Sequence, residues 1–470
     1  MQVMIVMKFG GSSVADAGRI RHVVDIIQNH LEQKPVVVLS AMGDTTDHLL
    51  EAGNEALYKG VVSIEKIAKH HIETMRKLKL PAQDRKEIMS LLEELRLLLS
   101  GISLIREMTG RTTDFLVSFG ERLSVRIVAA YCNSIRIPAI ACDAWDMGFI
   151  SDSNFTAAEL LKESWDVIPK EIIPLQKMGM LPFVTGFIAK DASGNITTLG
   201  RGGSDLSATT IAASCKAKEV QVWKDVDGIL TADPRIVKKA KPVETVTYDE
   251  AAELAYFGAQ ILHPRAMQPC MKTGTPVLVK NSYNVAAPGT RIIAALDKKS
   301  VPVRAITTRR DVTLVDIVST RMLGQYGFLA EVFSCFARNS ISVDMVATSE
   351  VSVSTTLDAA HDLSAVKKEL SRIASVDVKT GMAIVTIVGN VRRSSEILAR
   401  AFKTCQLIGV TVQMVSQGAS KVNISFIVNG AEAVEVVRAL HVDFFGSFSE
   451  IGMTKSGGSP TRKTRARRAQ

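Results

Sequence analysis

The sequence lacks the features that typify membrane-spanning, disulfide-stabilised and zinc-binding proteins. It contains no run of about 18 apolar residues that could span a membrane. Its six cysteines lie far apart without a Cys-x-x-Cys pair, which argues against zinc and against a disulfide framework and fits a reducing compartment. Its eight histidines do not cluster, so no protein-bound transition metal is indicated. With 5% aromatic residues, the chain has few side chains on which single-stranded nucleic acid could stack.

The formal net charge of +9 is concentrated at the end of the chain. Residues 455–470 carry six lysines and arginines and no acidic residue. This segment is rich in Gly, Ser and Pro and cannot bury a core, so we expect 451–470 to be a disordered basic tail. A nucleic-acid-binding tail is the alternative to a solvated end.

The first 300 residues alternate short apolar strands with helical patterns. Strand-like runs lie at residues 3–7, 36–39, 138–141, 181–184, 219–223 and 276–279. This alternation is typical of an α/β fold with a mostly parallel sheet covered by helices on both faces. Because ligands bind beyond the carboxyl ends of such strands, the polar loops after Val38, Val184 and Trp223 should form a site. Residues from about 47 to 133 have a helical period and predict a helical insertion.

A second pattern begins at about residue 301. The order strand, helix, strand, strand, helix occurs twice, and the echoes ISVDMV at 341–346 and VTVQMV at 410–415 place the two copies in register. We therefore predict a catalytic domain at 1–300, repeat units at 301–378 and 379–450, and the tail at 451–470.

The turn Lys8-Phe9-Gly10-Gly11-Ser12-Ser13 follows the first strand and precedes a predicted helix near Ala15. Paired glycines let backbone N–H groups approach an anion, a helix N-terminus favours negative charge, and Lys8 adds a full positive charge. The spacing matches neither the P-loop nor the dinucleotide-binding motif. A phosphate cradle is the functional interpretation, and a simple tight turn is the alternative.

Two further segments carry candidate functional residues. In Thr198-Leu199-Gly200-Arg201-Gly202-Gly203-Ser204-Asp205, the arginine could hold a carboxylate through two parallel hydrogen bonds. Ser204 or Asp205 could instead cap a helix starting near Leu206, and both roles can hold together. The segment 223–235, WKDVDGILTADPR, runs from a strand end into a polar loop that could grip the base, ribose or phosphates of a nucleotide.

Seven segments occur together in one order: KFGGSSV, LSAMGDTTD, LVSFGERLS, VTGFIAKD, TTLGRGGSDLSATTIA, VWKDVDGILTADPR and AELAYFGAQILHP. This set closely resembles the monofunctional aspartate kinases of the amino-acid kinase superfamily. The repeats at 311–450 resemble the tandem ACT domains of that family. The resemblance implies an amino-acid kinase fold followed by two ferredoxin-like βαββαβ ACT domains. KDVDG, FGAQ and SQGASKVNISFIV are most similar to the plant (plastid-type), lysine-sensitive branch and its bacterial relatives.

The resemblance implies transfer of the γ-phosphoryl group of MgATP to the side chain of L-aspartate, giving 4-phospho-L-aspartate. This is the first step of lysine, threonine and methionine biosynthesis. A carboxylate of pKa about 3.9 is already ionised at neutral pH, so no general base is needed. Catalysis should consist of positioning and positive charge, which fits cations beside glycine-rich turns. Magnesium is expected mainly on ATP oxygens, with no protein ligand.

The family's functional positions fall on matching residues of this chain. Lys8, Arg201 and Asp205 match catalytic positions, with Lys8 bridging aspartate and the transferring phosphoryl group. Nucleotide positions match Lys8, Gly10, Gly11, Ser12, Ser40, Lys224, Asp225, Leu230, Arg235 and Gln260. Aspartate positions match Thr46, Glu121, Arg201, Ser204 and Asp205, with Arg201 on the α-carboxylate and Glu121 on the α-ammonium group. Some bacterial members have tyrosine in place of Leu230 and lysine in place of Gln260, a departure that agrees with the plant branch.

The ACT pair implies feedback by L-lysine, bound at a dimer interface of the first ACT unit. The matching positions are Met322, Gly327, Phe328, Leu329, Ser342, Val343, Asp344, Thr348, Ser349 and Glu350. Asp344 and Glu350 could pair the ammonium groups of lysine or could simply be solvated acids. S-adenosylmethionine is a second candidate effector, for which the sequence indicates no site. We expect a homodimer formed through ACT domains, with a dimer of dimers as the alternative.

No basic leader with an apolar stretch and cleavage site precedes the first strand. We expect a cytoplasmic protein if the source is bacterial, and a plastid-stroma protein without its transit peptide if the source is a plant. Two rival functions are another amino-acid kinase, acting on glutamate or acetylglutamate, and a non-catalytic amino-acid sensor. The first leaves the tandem repeat unexplained, and the second predicts a damaged site although Lys8, Glu121, Arg201 and Asp205 are all present.

Overall fold

The computed structural model divides the chain into two compact units. Unit 1 comprises Met1–Leu230 and Pro242–Ser300, and unit 2 comprises Thr231–Lys241 and Val301–Gln470. The structure describes residues 4–256, 262–296, 303–319, 326–358, 362–389, 393–417 and 422–446. Within these ranges, no helix is long and apolar enough to cross a membrane.

The main element of unit 1 is an eight-stranded sheet in the order β3-β5-β2-β1-β8-β10-β11-β9. Its strands are β1 (Ile5–Phe9), β2 (Pro35–Leu39), β3 (Ala139–Cys142), β5 (Leu181–Thr185), β8 (Glu219–Lys224), β9 (Thr245–Thr247), β10 (Val277–Asn281) and β11 (Thr290–Ile293). The first six strands in this order are mutually parallel, and β11 is antiparallel to β10. The predicted α/β fold with a mostly parallel sheet is thus confirmed.

The central strands are buried on both faces, which explains their continuous apolar sequences. Every residue of β1, β2 and β5 is buried. Helices cover parallel strands on both sides, so such strands lack the alternation of apolar and polar residues seen at a solvent-facing sheet. The carboxyl ends of β1, β2 and β8 therefore meet at one edge of the sheet.

Nine helices surround this sheet in the described part of unit 1. They are α1 (Ala17–Gln28), α2 (Thr45–Asn54), α3 (Glu65–Leu78), α4 (Ala82–Ile105), α5 (Gly110–Ser134), α6 (Ser164–Lys177), α7 (Gly203–Ser214), α8 (Tyr248–Tyr256) and α9 (Pro264–Thr273). Helices α2 to α5 fill the segment predicted as a helical insertion. A small second sheet contains β4 (Ile150–Ser151), β6 (Ile188–Asp191) and β7 (Ile196–Thr198).

Unit 2 is built on one six-stranded sheet in the order β13-β14-β12-β15-β17-β16. Its strands are β12 (Val303–Val318), β13 (Met345–Thr348), β14 (Ser352–Asp358), β15 (Ser375–Gly389), β16 (Met414–Ser416) and β17 (Asn423–Asn429). Its helices are α10 (Phe328–Arg338), α11 (Ser364–Leu370), α12 (Ser394–Leu407) and α13 (Ala433–Phe445). The expected ACT architecture is confirmed.

The two repeats share their longest strands, which the sequence patterns indicated only in part. β12 begins at Val303, near the predicted start of the first unit, whereas β15 begins at Ser375 and runs to Gly389, across the predicted boundary between 378 and 379. These strands pair along their length, with register shifts near Val312. The second half of β12 pairs with β14, whereas its first half, Val303 to Arg310, pairs with the half of β15 that also pairs with β17. Residues at the start of the first repeat unit thus complete the sheet of the second.

The segment Thr231–Lys241 belongs to unit 2, although both of its neighbours in sequence belong to unit 1. Ala232, Ile236 and Val237 are buried in the same core cluster as helices α12 and α13. Thr231 is anchored twice, because its carbonyl accepts a hydrogen bond from the amide of Ile306 and its hydroxyl lies 2.9 Å from Nε2 of His441. The loop after β8 is therefore continuous in sequence with a segment embedded in the ACT unit.

Candidate active site

A cavity of about 780 Å³ lies at the carboxyl end of the main sheet in unit 1. It is lined by eight residues predicted to be functional: Lys8, Gly11, Ser40, Thr46, Glu121, Arg201, Ser204 and Asp205. The remaining lining residues are Ala41, Gly43, Asp47, Leu50, Phe187, Gly200, Gly202 and Gly203. Residues that are up to about 200 positions apart in sequence thus surround one space, as expected for a site at the ends of parallel strands.

Three charged side chains, of which Lys8 and Asp205 line the cavity, form a cluster that we call the charged floor. The Nζ of Lys8, from β1, lies 2.8 Å from Oδ1 of Asp205, and the Nζ of Lys224, from β8, lies 3.5 Å from Oδ2. Lys8 and Asp205 are almost fully buried, at 7% and 6% exposure. Two cations and one carboxylate leave one net positive charge in a place with little water, which is an environment that attracts an anion.

The ionisation of this cluster follows from its geometry. Burial opposes the charge on Asp205, but Lys8 and Lys224 outweigh it and hold the pKa of the carboxyl below its usual value. Burial, helped by the nearby charge of Lys8, lowers the pKa of Lys224, and Asp205 offsets this effect only in part. Asp205 is therefore ionised and keeps both lysines in place.

Glu121 lies on α5 and is 3% exposed. Its Oε1 accepts a hydrogen bond of 3.2 Å from the amide of Ala41, and its Oε2 has no hydrogen-bond partner among the residues that the structure describes. Burial raises the pKa of Glu121 to about 8, against smaller opposing contributions from the amide of Ala41 and the charge of Lys8. A buried carboxyl group with an unpaired oxygen facing a cavity is suited to receive a cationic group.

The turn after β1 has the close backbone packing expected of a phosphate-binding loop. Residues Gly11–Val14 form a 3₁₀ turn, and the amide of Ser13 donates to the carbonyl of Gly10. A Cβ atom at Gly11 would lie 2.7 Å from the carbonyl oxygen of Ala41, so only glycine fits there. The following helix begins at Ala17, two residues later than predicted, and is capped by the side chain of Asp16.

The second glycine-rich segment differs from one of its predicted roles. A helix cap at Ser204 or Asp205 was considered, but helix α7 begins at Gly203 and its N-cap is Gly202 with φ of +76°. That interpretation is therefore wrong, because both side chains lie within the first turn, where Asp205 pairs with the two lysines instead. Arg201 is exposed beside the cavity and forms no hydrogen bond or ion pair with another described residue.

Ser282 is a central residue that the sequence motifs did not reveal. It is fully buried directly after β10, where its hydroxyl donates to the carbonyl of Lys224 and lies 2.9 Å from the hydroxyl of Ser13. Arg19 donates to the same hydroxyl at 3.0 Å and stacks over the ring of Tyr283. Ser282 thus joins the phosphate-loop candidate, helix α1 and the end of β8. Only its position after a strand end could have hinted at this role.

The predicted nucleotide residues are only partly brought together. Lys224 is in the charged floor, Asp225 is exposed in the next loop, and Leu230 forms an isolated bridge with Pro242. Arg235 lies in unit 2, where its guanidinium pairs with Asp233 at 2.7 Å. Gln260 lies outside the described residues.

Comparison with known proteins places the chain in a family. The model of the amino acid kinase family matches residues 3–281, and that of the ACT domain matches 315–368 and 385–444. Aspartokinase 1, chloroplastic, from Arabidopsis thaliana is 50% identical over 98% of this chain and 84% of the relative. The chain belongs to the aspartokinases of the amino acid kinase family. The resemblance found in the sequence motifs is thus confirmed.

Solved aspartokinase structures share the architecture. E. coli aspartokinase III in complex with aspartate and ADP, in its R-state, is 33% identical, with a TM-score of 0.78 and coverage of 94% of this chain and 100% of that chain. The same protein in complex with lysine and aspartate, in its T-state, is 32% identical, with a TM-score of 0.76 and coverage of 94% and 99%.

The predicted effector residues of this aspartokinase lie at two ends of one short strand. Asp344 precedes β13, and its Oδ2 lies 3.1 Å from Nη1 of Arg309, which also pairs with Asp358. Thr348 is the last residue of this strand, Ser349 and Glu350 follow it, and all three are exposed. Gly327 directly precedes α10, and Phe328 and Leu329 are the first two residues of that helix. Ser342 and Val343 lie beside Asp344, and Met322 lies outside the described residues.

Metal-binding residues are not concentrated anywhere in the described ranges. No group of three or more His, Cys, Asp or Glu side chains there could hold a metal ion. Asp205 already pairs with Lys8 and Lys224, and burial raises the pKa of Glu121 to about 8. The lysines and the glycine-rich turn suit phosphate groups.

Replacing Glu121 with Gln should remove a pH-dependent loss of stability. The unfolded chain releases this proton near pH 4.5, whereas the folded protein keeps it until about pH 8. Because the folded state binds more protons in between, its stability falls as pH rises through this window, by up to about 1.4 kcal/mol per pH unit. Gln cannot ionise, so the variant's free energy of unfolding should not show this fall. Measured by denaturant unfolding, the free energy of unfolding of Glu121→Gln relative to that of the parent should therefore increase from about pH 5 to about pH 7.5. An equal difference at both pH values would contradict the raised pKa.

Proposed function

We propose that the chain catalyses transfer of the γ-phosphoryl group of MgATP to the side-chain carboxylate of L-aspartate, giving ADP and 4-phospho-L-aspartate, the first step of the aspartate-derived amino-acid pathway. The observation that carries this proposal is one cavity lined by a buried lysine, a buried carboxyl group with one unpaired oxygen, and an arginine that has no partner among the described residues. These are Lys8, Glu121 and Arg201.

The reaction requires two anions to approach each other. The aspartate side chain is ionised at neutral pH, so the enzyme needs no base to create the nucleophile. Lys8, held by Asp205, lies where the attacking carboxylate and the transferring phosphoryl group would meet and offsets their repulsion. Lys224 extends the positive charge toward the nucleotide side. Asp205 acts by fixing both ammonium groups, since its own oxygens are already paired.

The α-substituents of aspartate are recognised by the two remaining charged groups. Arg201 can form two parallel hydrogen bonds to the α-carboxylate. Glu121 receives the α-ammonium group, and this favours the ionised form of Glu121, so substrate binding releases the proton that burial retains. Thr46 and Ser204 line the same cavity and offer hydroxyl groups.

The nucleotide is assigned to the other side of Lys8. Backbone amides of Gly10, Gly11 and Ser12 hold phosphate oxygens, assisted by Ser40. Asp225, Leu230, Arg235 and Gln260 are proposed to contact the nucleotide by their place in the aspartokinase motifs. Magnesium bound to ATP would neutralise phosphate charge, which lowers the cost of bringing the carboxylate close.

Coupled assay of ADP release with three acids tests this function. We expect turnover with L-aspartate and little or none with L-glutamate or N-acetyl-L-glutamate. In Lys8→Ala, kcat should fall by at least about 100-fold while the circular dichroism spectrum stays unchanged, which shows that the variant is folded. Because this variant is purified in parallel, its residual activity also measures any contaminating kinase. Turnover on glutamate but not aspartate would refute the assignment and favour the rival amino-acid kinase. No turnover on any acid would favour the rival amino-acid sensor.

We also propose feedback inhibition by L-lysine at the ACT unit. A related aspartokinase has been crystallised with lysine, and Asp344 here is a largely buried acid beside exposed strand-end residues. Asp344 directly precedes β13, and Glu350 lies two residues beyond Thr348, the last residue of that strand. We propose that lysine binds beside these acids at an interface with a second subunit, which is the ACT-mediated homodimer expected from the aspartokinase motifs.

Lysine inhibition should depend on Asp344. Replacing Asp344 with Asn removes a charged hydrogen-bond acceptor, so the lysine concentration for half-inhibition should rise by about tenfold or more. Each variant is compared with its own lysine-free rate, and Glu369→Gln on α11 serves as the matched control. If millimolar lysine leaves the rate of the unmodified protein unchanged, the feedback proposal fails while the kinase assignment stands.

Three further features complete the proposal. S-adenosylmethionine is a second effector to include in the same assay. A dimer of dimers is the next assembly beyond the homodimer, and light scattering distinguishes the two. The protein would act in the plastid stroma if its source is a plant, as for its chloroplastic relative, and in the cytoplasm if its source is bacterial.

A further inference from the structure

Asp114 is a buried carboxylate of unit 1 that has no part in the reaction described above. It lies on α5 and is 1% exposed. Its Oδ2 accepts hydrogen bonds from the amides of Thr156 and Thr198, both at 2.9 Å, and its Oδ1 accepts one of 2.7 Å from the Thr198 hydroxyl. One side chain thus fastens helix α5 to two segments that lie 42 and 84 residues further along the chain.

These bonds link the two halves of the proposed aspartate site. Glu121 follows Asp114 by seven residues, which is about two helical turns, so both side chains leave the same face of α5. Thr198 is the last residue of β7 and directly precedes the loop that carries Arg201. Asp114 therefore sets the starting point of this loop relative to Glu121.

Arg265, at the start of α9, holds the same loop from the opposite direction. Its Nη1 donates to the carbonyl of Leu199 at 3.0 Å, and its Nη2 donates to the carbonyl of Ala158 at 2.7 Å. The amide of Ala158 in turn donates to the carbonyl of Thr198 at 2.8 Å. The entry to the loop is thus fixed by two charged side chains, one acidic and buried, the other basic and 28% exposed.

The loop has little freedom to move without these contacts being broken. Gly200 has φ of +69°, and a Cβ atom there would lie 3.3 Å from the carbonyl oxygen of Thr156, the residue whose amide Asp114 holds. The backbone at Gly200, next to Arg201, therefore lies close against the Thr156 segment. Asp205 depends less on this contact, because it lies inside α7 and is paired with two lysines.

We propose that Asp114 and Arg265 are positioning residues for the amino-acid substrate, which hold the loop of residues 199–202 so that Arg201 and Glu121 face one aspartate molecule. The inference rests on the proposed function. Neither residue touches the substrate, and both act through the backbone of the loop. Loosening the loop should weaken aspartate binding and leave nucleotide binding almost unchanged, since the phosphate turn and Lys224 are fixed independently through Ser282.

Asp114 offers a conservative replacement that separates geometry from charge. In Asp114→Asn, the amide oxygen can accept both backbone N–H groups, and the amide nitrogen can donate to the Thr198 hydroxyl. All three contacts survive, whereas Asp114→Ala loses them and removes the acceptor for the amides of Thr156 and Thr198, of which the Thr198 amide is buried. A positioning role thus predicts that Asn rescues what Ala removes.

Steady-state kinetics on the full chain tests this proposal. For Asp114→Ala and Arg265→Met we expect the KM for aspartate to rise by about tenfold or more, with the KM for ATP within about twofold of the parent. For Asp114→Asn, the KM for aspartate and the KM for ATP should both stay within about threefold of the parent values. Ser282→Ala is the reciprocal control, because it loosens the phosphate turn and should raise the KM for ATP alone. Equal changes in both KM values for Arg265→Met, or an unchanged KM for aspartate, would overturn the proposal.

Amide hydrogen exchange tests the positioning role without relying on enzyme activity. Arg265→Met changes a partly exposed side chain, so it should fold even if Asp114→Ala does not. In this variant the amides of the peptide spanning Thr198 to Asp205 should exchange at least about tenfold faster than in the parent, while amides of β1 and β8 stay protected. Unchanged exchange in the loop would refute the positioning role. Faster exchange with no turnover on aspartate in the parent would instead show that the proposed function is wrong and the loop anchor real.

Discussion

The buried carboxylate of Asp205 is the interaction on which the catalytic unit depends. An ionised carboxylate at 6% exposure is tolerated only because the ammonium groups of Lys8 and Lys224 compensate for its lost hydration. The three groups come from the end of β1, the end of β8 and the first turn of α7. The pairing therefore requires these elements to meet within a few ångströms, and it leaves one uncompensated positive charge at the meeting point. The order of the strands brings these three groups together, and the cavity and the glycine-rich turns lie beside them.

Around that centre, the polar groups divide into two sets with separate supports. On one side, Ser282 joins the turn after β1 to the carbonyl of Lys224. On the other side, Asp114 joins the helix of Glu121 to the strand that precedes Arg201. Burial raises the pKa of Glu121 to about 8, which favours its neutral form and limits the negative charge that is buried close to Lys8.

Much of the fold could be predicted from local sequence, because burial on both faces produces recognisable apolar strands and amphipathic helices. The Lys8 turn, Glu121 and the segment around Arg201 were also recognisable from their motifs. The pairing of Asp205 with two lysines was not, because an acid in a first helical turn looks locally like a capping residue.

Contacts between distant segments gave no local signal either. Ser282 and Asp114 act through partners up to 269 residues away, and neither lies in an unusual local pattern. The strand pairing that lets Val303 to Arg310 complete the second repeat's sheet is likewise a tertiary property, since a continuous strand shows no boundary between its two halves.

Replacing Asp205 with Asn tests the central claim most directly. The substitution keeps the shape of the side chain but removes the charge that holds Lys8 and Lys224. Calorimetric titration with ATP and measurement of kcat on the same preparation separate binding from chemistry. The electrostatic account predicts that Asp205→Asn binds ATP at least as tightly as the parent protein does, because a negative charge beside the ATP phosphates has been removed. It also predicts that kcat falls by about 100-fold or more. A kcat within about threefold of the parent would contradict it.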